Sequence, residues 1–303
     1  MESLLQEIRA SNMTKQPSII PHGQGKSKEN NKSYFQKNYY IRPIEDNASI
    51  EIFKVSNEIA YDSYSLNNLF IVALIPAYNE GESIKNIVSL TRKYVDHVIV
   101  CNDGSSDKTA EIVSKMNVDL VNHTKNIGKG QALRTLFKEA TKYNPDIIVT
   151  LDGDGQHDPL EIPRLLKGIL YNKSDVVIGS RFLQGSVTDI TRVRSIGLKT
   201  INLLERLLFN SKISDTQSGF RAFSKSAFKI FSNAQESGYG TELEQNILAT
   251  KYGLQISEVP VTITYRNLPN SSKKHFIAHG FELLTVIVRH YVRNVLSSNR
   301  LKK

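Results

Sequence analysis

Apolar and polar positions alternate in blocks along residues 68–180, and the blocks differ in length and period. Short runs of apolar, mostly β-branched residues predict five strands, at 70–76, 97–102, 118–122, 146–151 and 175–180. Amphipathic stretches between these runs predict helices near 82–93, 106–116, 129–142 and 159–171. Continuous Val and Ile runs joined by helices are typical of a parallel sheet covered on both faces. The pattern therefore predicts an α/β domain built on a doubly wound sheet.

The rhythm of the chain changes after residue 180. The pattern predicts helices near 195–209, 224–232 and 240–252, followed by a strand-like run at 256–266. In the stretch 276–297, apolar residues recur every three or four positions and form one stripe on a helix: Ile277, Phe281, Leu284, Val288, Tyr291 and Val295. This segment either lies in a membrane interface or packs on the protein or on a second copy, and we expect peripheral membrane association.

Composition narrows the class of protein. The 303 residues are 40% apolar and 23% charged, which is ordinary for a globular chain. Cys101 is the single cysteine, so an internal disulfide and a cysteine-based metal site are excluded and a reducing compartment is expected. The sequence shows neither a signal-peptide pattern nor an apolar run of the ~20 residues that a spanning helix needs. We therefore expect a protein on the cytoplasmic side.

Positive charge is concentrated near the C-terminal end. The net charge is +9, and residues 266–303 carry eight basic side chains against one acid, Glu282. Such a tail either binds the phosphate of a nucleic acid, an anionic lipid or a small ligand, or serves as a solubilising surface. We expect residues 1–35 to be disordered, 36–67 to be an extension without an assigned role, 68–275 to form the main domain and 276–303 the basic amphipathic tail.

The segment LDGDGQHDP, residues 151–159, places several polar side chains at the end of a predicted buried strand. Asp158 before Pro159 is a typical helix N-cap. Asp152 and Asp154 repel each other, so we expect a positive partner. That partner is either Lys or Arg in a structural network, or a hard divalent cation, Mg²⁺ or Mn²⁺, that also grips a diphosphate. We favour the divalent cation because ligands of such sheets bind beyond the carboxyl ends of the strands.

Three further polar motifs, IPAYNEG, NDGSSD and GSRF, also follow predicted strands and converge on the same edge. A dinucleotide-binding dehydrogenase, the obvious alternative for this fold, needs G-x-G-x-x-G after the first strand. The nearest approach, GKGQAL at 128–133, lacks the third glycine and follows the third strand, so that class is excluded. The Gly128–Gly130 turn either lies near phosphate or is a plain helix start.

In their order and spacing, IPAYNEGESI, NDGSSDKT, LDGDGQHDP, GSRF and SGFRAFS resemble the motifs of the family 2 inverting glycosyltransferases, and most closely those of the dolichyl- and polyprenyl-phosphate hexose synthases. The resemblance covers about residues 70–275. It implies the GT-A fold, a Rossmann-like, mostly parallel sheet with helices on both faces, plus a C-terminal amphipathic helical segment. It also implies metal-dependent transfer of a hexose, from GDP-mannose or UDP-glucose to dolichyl or polyprenyl phosphate, with inversion and without nucleic acid.

The resemblance assigns a nucleoside pocket to residues of the first two motifs. Pro76, Tyr78 and Glu80 would line it, with the tyrosine ring over the base and the glutamate on the ribose hydroxyl groups. Cys101 and Asp103 would meet the edge of the base, where a carboxylate accepts hydrogen bonds from N–H groups of uracil or guanine.

The acidic motif and a later basic segment would hold the diphosphate and the metal. By resemblance, Asp152 and the backbone of Gly153 would contact ribose and phosphate, and Asp154 and Gln156 would be the metal ligands. Basic residues of YRNLPNSSKK would close over the diphosphate, although a Pro-Asn pair stands where the family pattern has a glycine-containing loop: Arg266, Lys273 and Lys274.

Residues after the fifth predicted strand would bind the acceptor. By resemblance, Arg181 and Arg194 would hold its phosphate, since guanidinium groups match phosphate oxygens, and Arg181 would also face the donor. Ser218 and Arg221 would belong to the acceptor pocket, with Asp215 orienting them or binding sugar hydroxyl groups.

Two other functions stay open at this point. One is a family 2 transferase with a soluble or polysaccharide acceptor, whose basic tail serves self-association. The other is a non-catalytic, membrane-associated protein that binds nucleotide sugars. Arg181, Arg194 and Gln156 favour the lipid-phosphate transferase over the first alternative, and the intact motifs favour it over the second.

Overall fold

The computed structural model describes residues 69–209, 211–232, 240–265 and 284–289. These residues form nine strands: β1 Ile71–Ala77, β2 His97–Asn102, β3 Asp119–Asn122, β4 Ile147–Thr150, β5 Val176–Ser180, β6 Val187–Thr188, β7 Arg221–Ser224, β8 Ile256–Pro260 and β9 Thr262–Ile263. Seven of them form one sheet in the order β3-β2-β1-β4-β7-β5-β8, and β6 pairs with β9 in a second, two-stranded sheet. In the large sheet only β7 runs antiparallel to its neighbours.

Helices connect the strands. Their bounds are α1 Ile84–Thr91, α2 Thr109–Ser114, α3 Lys129–Ala140, α4 Ile162–Leu170, α5 Arg192–Phe209, α6 Lys225–Phe231 and α7 Thr241–Lys251. A 3₁₀ turn at Pro159–Glu161 precedes α4, and Asp158 caps it by accepting from the Leu160 N–H at 2.9 Å, as the sequence predicted. Residues 284–289 are helical as well.

The large sheet is buried on both faces because the side chains of β1 alternate between two apolar layers. Ile71, Ala73 and Ile75 belong to one cluster, together with apolar residues of α1, α2 and α4. Val72 and Leu74 belong to the other cluster, together with apolar residues of α3 and α6. Every residue of β1 is buried, which explains its continuous apolar run.

The predicted doubly wound, mostly parallel α/β fold is confirmed. The five predicted strands are present with bounds shifted by at most one residue at either end. Two strands were not predicted, the short β6 and, in the large sheet, β7. Strand β7, sequence RAFS, inserts between β4 and β5 and pairs antiparallel with both. Its register sets Arg221 opposite Thr150 and so carries the SGFRAFS motif to the centre of the sheet.

The predicted C-terminal helix is described only at 284–289, and there its buried face differs from the predicted one. Val286 and Ile287 are buried against Ile201 of α5 and Leu243 of α7. Leu284 and Val288, two members of the predicted stripe, are exposed. The remainder of 276–303 and the segments 1–35 and 36–67 lie outside the described residues, so these divisions stay predictions. No described helix is long and apolar enough to cross a membrane.

Candidate active site

The predicted motifs lie together at the edge where the parallel strands end. The segment after β1 is tied to the segment after β2, because the Asn79 N–H donates to Ser105 Oγ at 2.9 Å and the Ser106 N–H donates to Asn79 Oδ1 at 2.8 Å. It also reaches the acidic motif, where Ser83 Oγ donates to the Gly153 carbonyl at 2.6 Å. Three motifs therefore form one connected site.

The acidic motif is a tight turn after β4, held by its own polar atoms. Gln156 donates twice to Asp154, from the backbone N–H to Oδ1 at 3.0 Å and from Nε2 to Oδ2 at 2.5 Å. Gly155 has a φ of 82°, a left-handed conformation that favours glycine. His157 Nδ1 accepts from the Asp152 N–H at 3.2 Å, and burial lowers the pKa of His157 to about 4. The imidazole is therefore a neutral acceptor that holds the turn.

A cation lies against Asp152. Lys129, the first residue of α3, places its Nζ 2.8 Å from Asp152 Oδ1 and 3.1 Å from Glu242 Oε1. Gly219 permits this approach, because a Cβ at that position would lie 2.8 Å from Nζ. Burial acts to raise the pKa of Asp152, but the Lys129 charge, helped by weaker interactions, holds it below its usual value. The sequence allowed either a basic side chain or a divalent cation as the positive partner of Asp152, and the structure pairs Asp152 with a basic side chain, Lys129.

Asp154 has a different environment. None of the ion pairs between described residues involves it. Burial and the charge of Asp152 raise the pKa of Asp154 to about 6. Burial and the charge of Asp154 likewise raise the pKa of Glu80 to about 8. Three carboxyl groups therefore crowd this edge, and two of them hold their protons more tightly than free side chains do. A bound cation would relieve the repulsion between them.

The oxygen atoms of the acidic motif suit a hard divalent cation. Asp154 offers a carboxylate and Gln156 an amide oxygen, both of which Mg²⁺ and Mn²⁺ prefer. Among the described residues, no three His, Cys, Asp or Glu side chains form a group that could hold a metal ion. The protein would thus contribute two ligands and leave the other positions to phosphate oxygens and water, the usual arrangement for Mg²⁺ at phosphate sites.

The residues predicted to contact the nucleoside lie at different depths. Tyr78 is 45% exposed just beyond β1. Pro76 and Cys101 are partners in the register of β1 and β2. Cys101 is fully buried, and burial raises the pKa of its thiol to about 12, so the thiol is neutral. The ring of Tyr78 is accessible to a ligand, whereas the Cys101 side chain is not.

Asp103 is enclosed by the loop that leads into α3. Its carboxylate accepts the N–H groups of Ile127 and Gly128 at 3.1 and 2.8 Å. It also pairs with His123 Nδ1 at 2.7 Å, and His123 Nε2 lies 2.9 Å from Thr135 Oγ1. The structure therefore gives Asp103 a role that the sequence did not indicate, since it fixes the turn that presents Lys129.

The two arginines predicted to bind the acceptor phosphate meet across Tyr265. The Arg181 guanidinium group grips the fully buried Asp215 in a fork, Nε to Oδ2 at 2.7 Å and Nη2 to Oδ1 at 2.5 Å. Its Nη1 donates to the Tyr265 hydroxyl group at 2.6 Å. The Arg194 guanidinium group lies 4.3 Å from the centre of the Tyr265 ring. Asp215 thus orients Arg181, a partner that the sequence did not indicate for it, and Tyr265 contacts both arginines.

Arg221 lies behind the site rather than in an open pocket. Its side chain is 1% exposed and donates to the carbonyl oxygens of Ser218 and Thr216, each at 2.7 Å, and to Asn246 Oδ1 at 2.9 Å. Ser218 is buried as well. The physical reason is the unpredicted strand β7, which draws Arg221 into the sheet. The two residues therefore shape the loop beneath the arginine pair from within the protein.

The buried network around Arg221 includes a carboxyl group that makes stability depend on pH. Glu205 accepts from Gln217 Nε2 at 3.2 Å and from Asn246 Nδ2 at 3.1 Å, and burial raises its pKa from 4.5 to about 7. Between pH 4.5 and about 7 the folded state keeps a proton on Glu205 that the unfolded state releases. The stabilisation that Glu205 contributes is therefore complete below the lower pKa and is lost as pH rises toward 7.

We therefore expect Glu205→Gln to remove part of the pH dependence of stability. The free energy of unfolding of the wild type, relative to the variant, should fall by up to about 3 kcal/mol between pH 5 and pH 8. Urea unfolding at both pH values checks this. Glu111→Gln, at a fully exposed helix position, serves as the control and should show no such change. An equal difference between Glu205→Gln and the wild type at both pH values would contradict the assignment.

Arg266, Lys273 and Lys274 lie outside the described residues, so their place over the diphosphate stays a prediction. The last described residue before them is Tyr265, whose N–H donates to Asp189 Oδ1 at 2.6 Å.

Comparison with known proteins identifies the class of this fold and site. The model of the family "Glycosyl transferase family 2" matches residues 72–231, more than half of the chain. The chain therefore belongs to glycosyltransferase family 2. It is 35% identical over 215 residues to a UDP-N-acetylglucosamine–dolichyl-phosphate N-acetylglucosaminyltransferase of Methanococcus voltae, with 64% of this chain and 86% of that protein covered.

Two further comparisons extend the likeness. The chain is 31% identical over 208 residues to the polyprenol monophosphomannose synthase of Mycolicibacterium smegmatis, with 65% of this chain and 78% of that protein covered. Its fold is similar to a crystal structure of glucosyl-3-phosphoglycerate synthase from Mycobacterium tuberculosis in complex with Mn²⁺, UDP and phosphoglyceric acid. That match has a TM-score of 0.60 and 23% identity and covers 77% of this chain and 82% of the other. The GT-A fold implied by the motifs is thereby confirmed.

Proposed function

We propose that this glycosyltransferase moves a hexose from a nucleotide sugar to a dolichyl or polyprenyl phosphate with inversion at the anomeric carbon. The observation that carries the proposal is the pairing of Arg181 and Arg194 across Tyr265 beside the acidic motif. Arg181 is close enough to Asp152 to contribute to lowering its pKa. In this proposal the site for the acceptor phosphate would adjoin the site for the metal-bound diphosphate. The named activities of both relatives, transfer to dolichyl phosphate and to polyprenol phosphate, support the lipid acceptor.

The donor would bind along the carboxyl edge of β1, β2 and β4. In this proposal Tyr78 covers the base and Glu80 reaches the ribose, beside the Pro76 and Cys101 backbone. Asp152 and the Gly153 backbone contact ribose and phosphate. Gly153 lets this turn pack closely on β1, because a Cβ there would lie 3.2 Å from the Pro76 carbonyl. Asp103 holds the loop at Ile127 and Gly128 in place, on the side of the site where the base would bind.

Asp154 and Gln156 would hold the divalent cation. When bound, Mg²⁺ or Mn²⁺ would neutralise the negative charge that grows on the leaving diphosphate. The crowding of Glu80, Asp152 and Asp154 supports this demand for a cation. Arg266 and Lys273 would add positive charge from the basic segment that follows Tyr265.

The acceptor phosphate would lie on the arginine pair. A phosphate monoester is already anionic at neutral pH, so its oxygen attacks the anomeric carbon with little need for a general base. The harder task is to bring two negatively charged groups together, and fixed cations accomplish it. Asp215 and Tyr265 hold the Arg181 fork in one orientation, so little side-chain freedom is lost on binding. The acceptor is a membrane lipid, so the proposal places the chain peripherally on the cytoplasmic face.

A donor screen tests the proposed function. Purified protein, Mg²⁺ or Mn²⁺ and a polyprenyl phosphate are incubated separately with labelled UDP-glucose, UDP-N-acetylglucosamine and GDP-mannose. We expect label in the organic phase from one donor and none after addition of EDTA. Nucleotide binding without any transfer would favour a non-catalytic binding protein. Absence of any nucleotide binding would overturn the assignment of the acidic motif to a donor site.

A further inference from the structure

Helix α5 carries an apolar stripe that no described part of the chain covers. Four large side chains, Val193, Ile196, Leu203 and Leu207, are between 52 and 70% exposed. With 3.6 residues per turn they fall within a sector of about 80° on the helix. The buried face of α5 lies on the other side and consists of Leu198, Ile201, Asn202 and Glu205. Large aliphatic side chains aligned on one exposed helix face mark an interaction surface rather than scattered surface residues.

A row of positive charge borders the stripe. Arg192, Lys199 and Arg206 are exposed and recur every seven residues, so they line up along one flank of the stripe. Glu205 is the only acidic residue of α5, and it is buried on the opposite face. The exposed face of α5 therefore presents apolar side chains and cations without an anion. We call these four apolar and three basic residues the α5 surface.

The apolar character continues beyond α5 on the flank without the cations. Leu204 and Leu208 are partly buried against the apolar cluster that includes Val286 and Ile287 of the 284–289 helix. That helix turns Leu284 and Val288 outward, 39 and 52% exposed. An apolar area bordered on one side by cations matches an interfacial helix, whose apolar face enters the acyl boundary while its cations meet anionic headgroups.

The same helix carries Arg194, one of the two arginines proposed to bind the acceptor phosphate. Arg194 lies in the first turn of α5, on the side away from the stripe, where its guanidinium group stacks on Tyr265. A bilayer on the α5 surface would therefore lie one helix diameter, about 10 Å, from the arginine pair. With the apolar stripe at the acyl boundary, the arginine pair would lie at the level of the headgroups, where a lipid acceptor carries its phosphate.

We propose that the α5 surface docks the enzyme on an anionic lipid bilayer. The choice of a bilayer rests in part on the proposed lipid acceptor, but the docking itself is tested without any sugar transfer. A second copy of the chain is the alternative occupant, since the stripe has the three- and four-residue spacing of a helix pair. Charge disfavours it, because an antiparallel pairing of two α5 helices would set two rows of cations against each other.

Vesicle co-sedimentation of the full chain tests the docking. Vesicles of phosphatidylcholine alone are compared with vesicles that also contain phosphatidylglycerol. The wild type should bind the anionic vesicles, and added salt should weaken binding. Leu203→Ser with Leu207→Ser should lower the partition coefficient at least tenfold, and Lys199→Glu with Arg206→Glu should remove the preference for anionic vesicles. Tyr252→Ser, at another exposed side chain of the same domain, is the matched control and should bind as the wild type does.

Three outcomes overturn the docking. The first is that the wild type does not bind vesicles. The second is that all variants bind equally, which would assign binding to the basic segment 266–303. The third is that the α5 variants only convert a dimer into a monomer, which would make a second copy the occupant. Activity on a short, water-soluble prenyl phosphate separates the two proposals: the α5 variants should retain the wild-type rate there. If the wild type binds vesicles, the α5 variants do not, and neither transfers sugar, the docking would be supported and the proposed function refuted.

Discussion

Replacing Asp154 by asparagine is expected to lower the rate of sugar transfer by about three orders of magnitude, because it removes the charge that we propose holds the divalent cation. The residue lies at the centre of the crowded carboxylates, where burial and Asp152 raise its pKa to about 6. Asparagine keeps the shape of the turn and can still accept from the Gln156 N–H. The protein should therefore fold normally and lose mainly metal-dependent activity.

The measurement is the rate of transfer to a polyprenyl phosphate at saturating Mg²⁺ or Mn²⁺, together with the thermal unfolding midpoint. Asp158→Asn is the matched control: it lies four residues away and only caps the Pro159–Glu161 turn, where asparagine is an equally good cap. Its rate should stay within a few-fold of the wild type. An Asp154→Asn variant with nearly full activity would contradict the metal-binding role of the acidic motif.

Replacing Lys129 by methionine is expected to cost about 2–4 kcal/mol in the free energy of unfolding, because it leaves Asp152 and Glu242 without their shared cation. The three side chains are only 28, 23 and 7% exposed, so water compensates the loss poorly. The loss has a pH signature. Without Lys129 the pKa of Asp152 should rise above its unfolded value, so the destabilisation should be smallest in acid and grow as pH rises through that pKa.

Urea unfolding of the variant across pH values measures this effect. Lys138→Met, at an exposed position on the same helix, is the control and should change stability by less than about 0.5 kcal/mol. The double variant Lys129→Met with Glu242→Gln should recover part of the loss, because one of the two unpaired charges is removed as well. A Lys129→Met protein as stable as the Lys138→Met control would show that the ammonium group does not hold the two acids together.

The sheet was predictable because burial on both faces requires continuous apolar runs, which are visible in the sequence. β1, for example, is a run of seven buried residues with no polar side chain, and length separates it from a helix. Strand β7 was not predictable, since RAFS begins with an arginine that is buried only through contacts with residues as distant as Asn246. The same pairing moved Arg221 from a predicted pocket to the interior of the protein.

The polar edge of the site was predictable from the positions of the motifs, but the partners of its residues were not. Nothing near Gly128–Gly130 shows that Lys129 meets Asp152, 23 residues away in sequence. Likewise Tyr265 in an ordinary strand-like run carries no local sign that it joins Arg181 and Arg194, with Arg181 lying 84 residues away. The helical pattern of α5 was evident, yet which of its apolar residues are exposed follows from the packing of α7 and residues 284–289.

The most direct test of the central claim is a comparison of acceptors with one donor and one metal ion. Polyprenyl phosphate, the corresponding polyprenol and phosphoglyceric acid are offered separately, and labelled sugar is counted in the organic and aqueous phases. We expect transfer to polyprenyl phosphate, none to the polyprenol that lacks the phosphate, and none to the water-soluble acceptor. Sugar on phosphoglyceric acid alone, or on the polyprenol as readily as on its phosphate, would contradict the assignment of the arginine pair to a lipid phosphate.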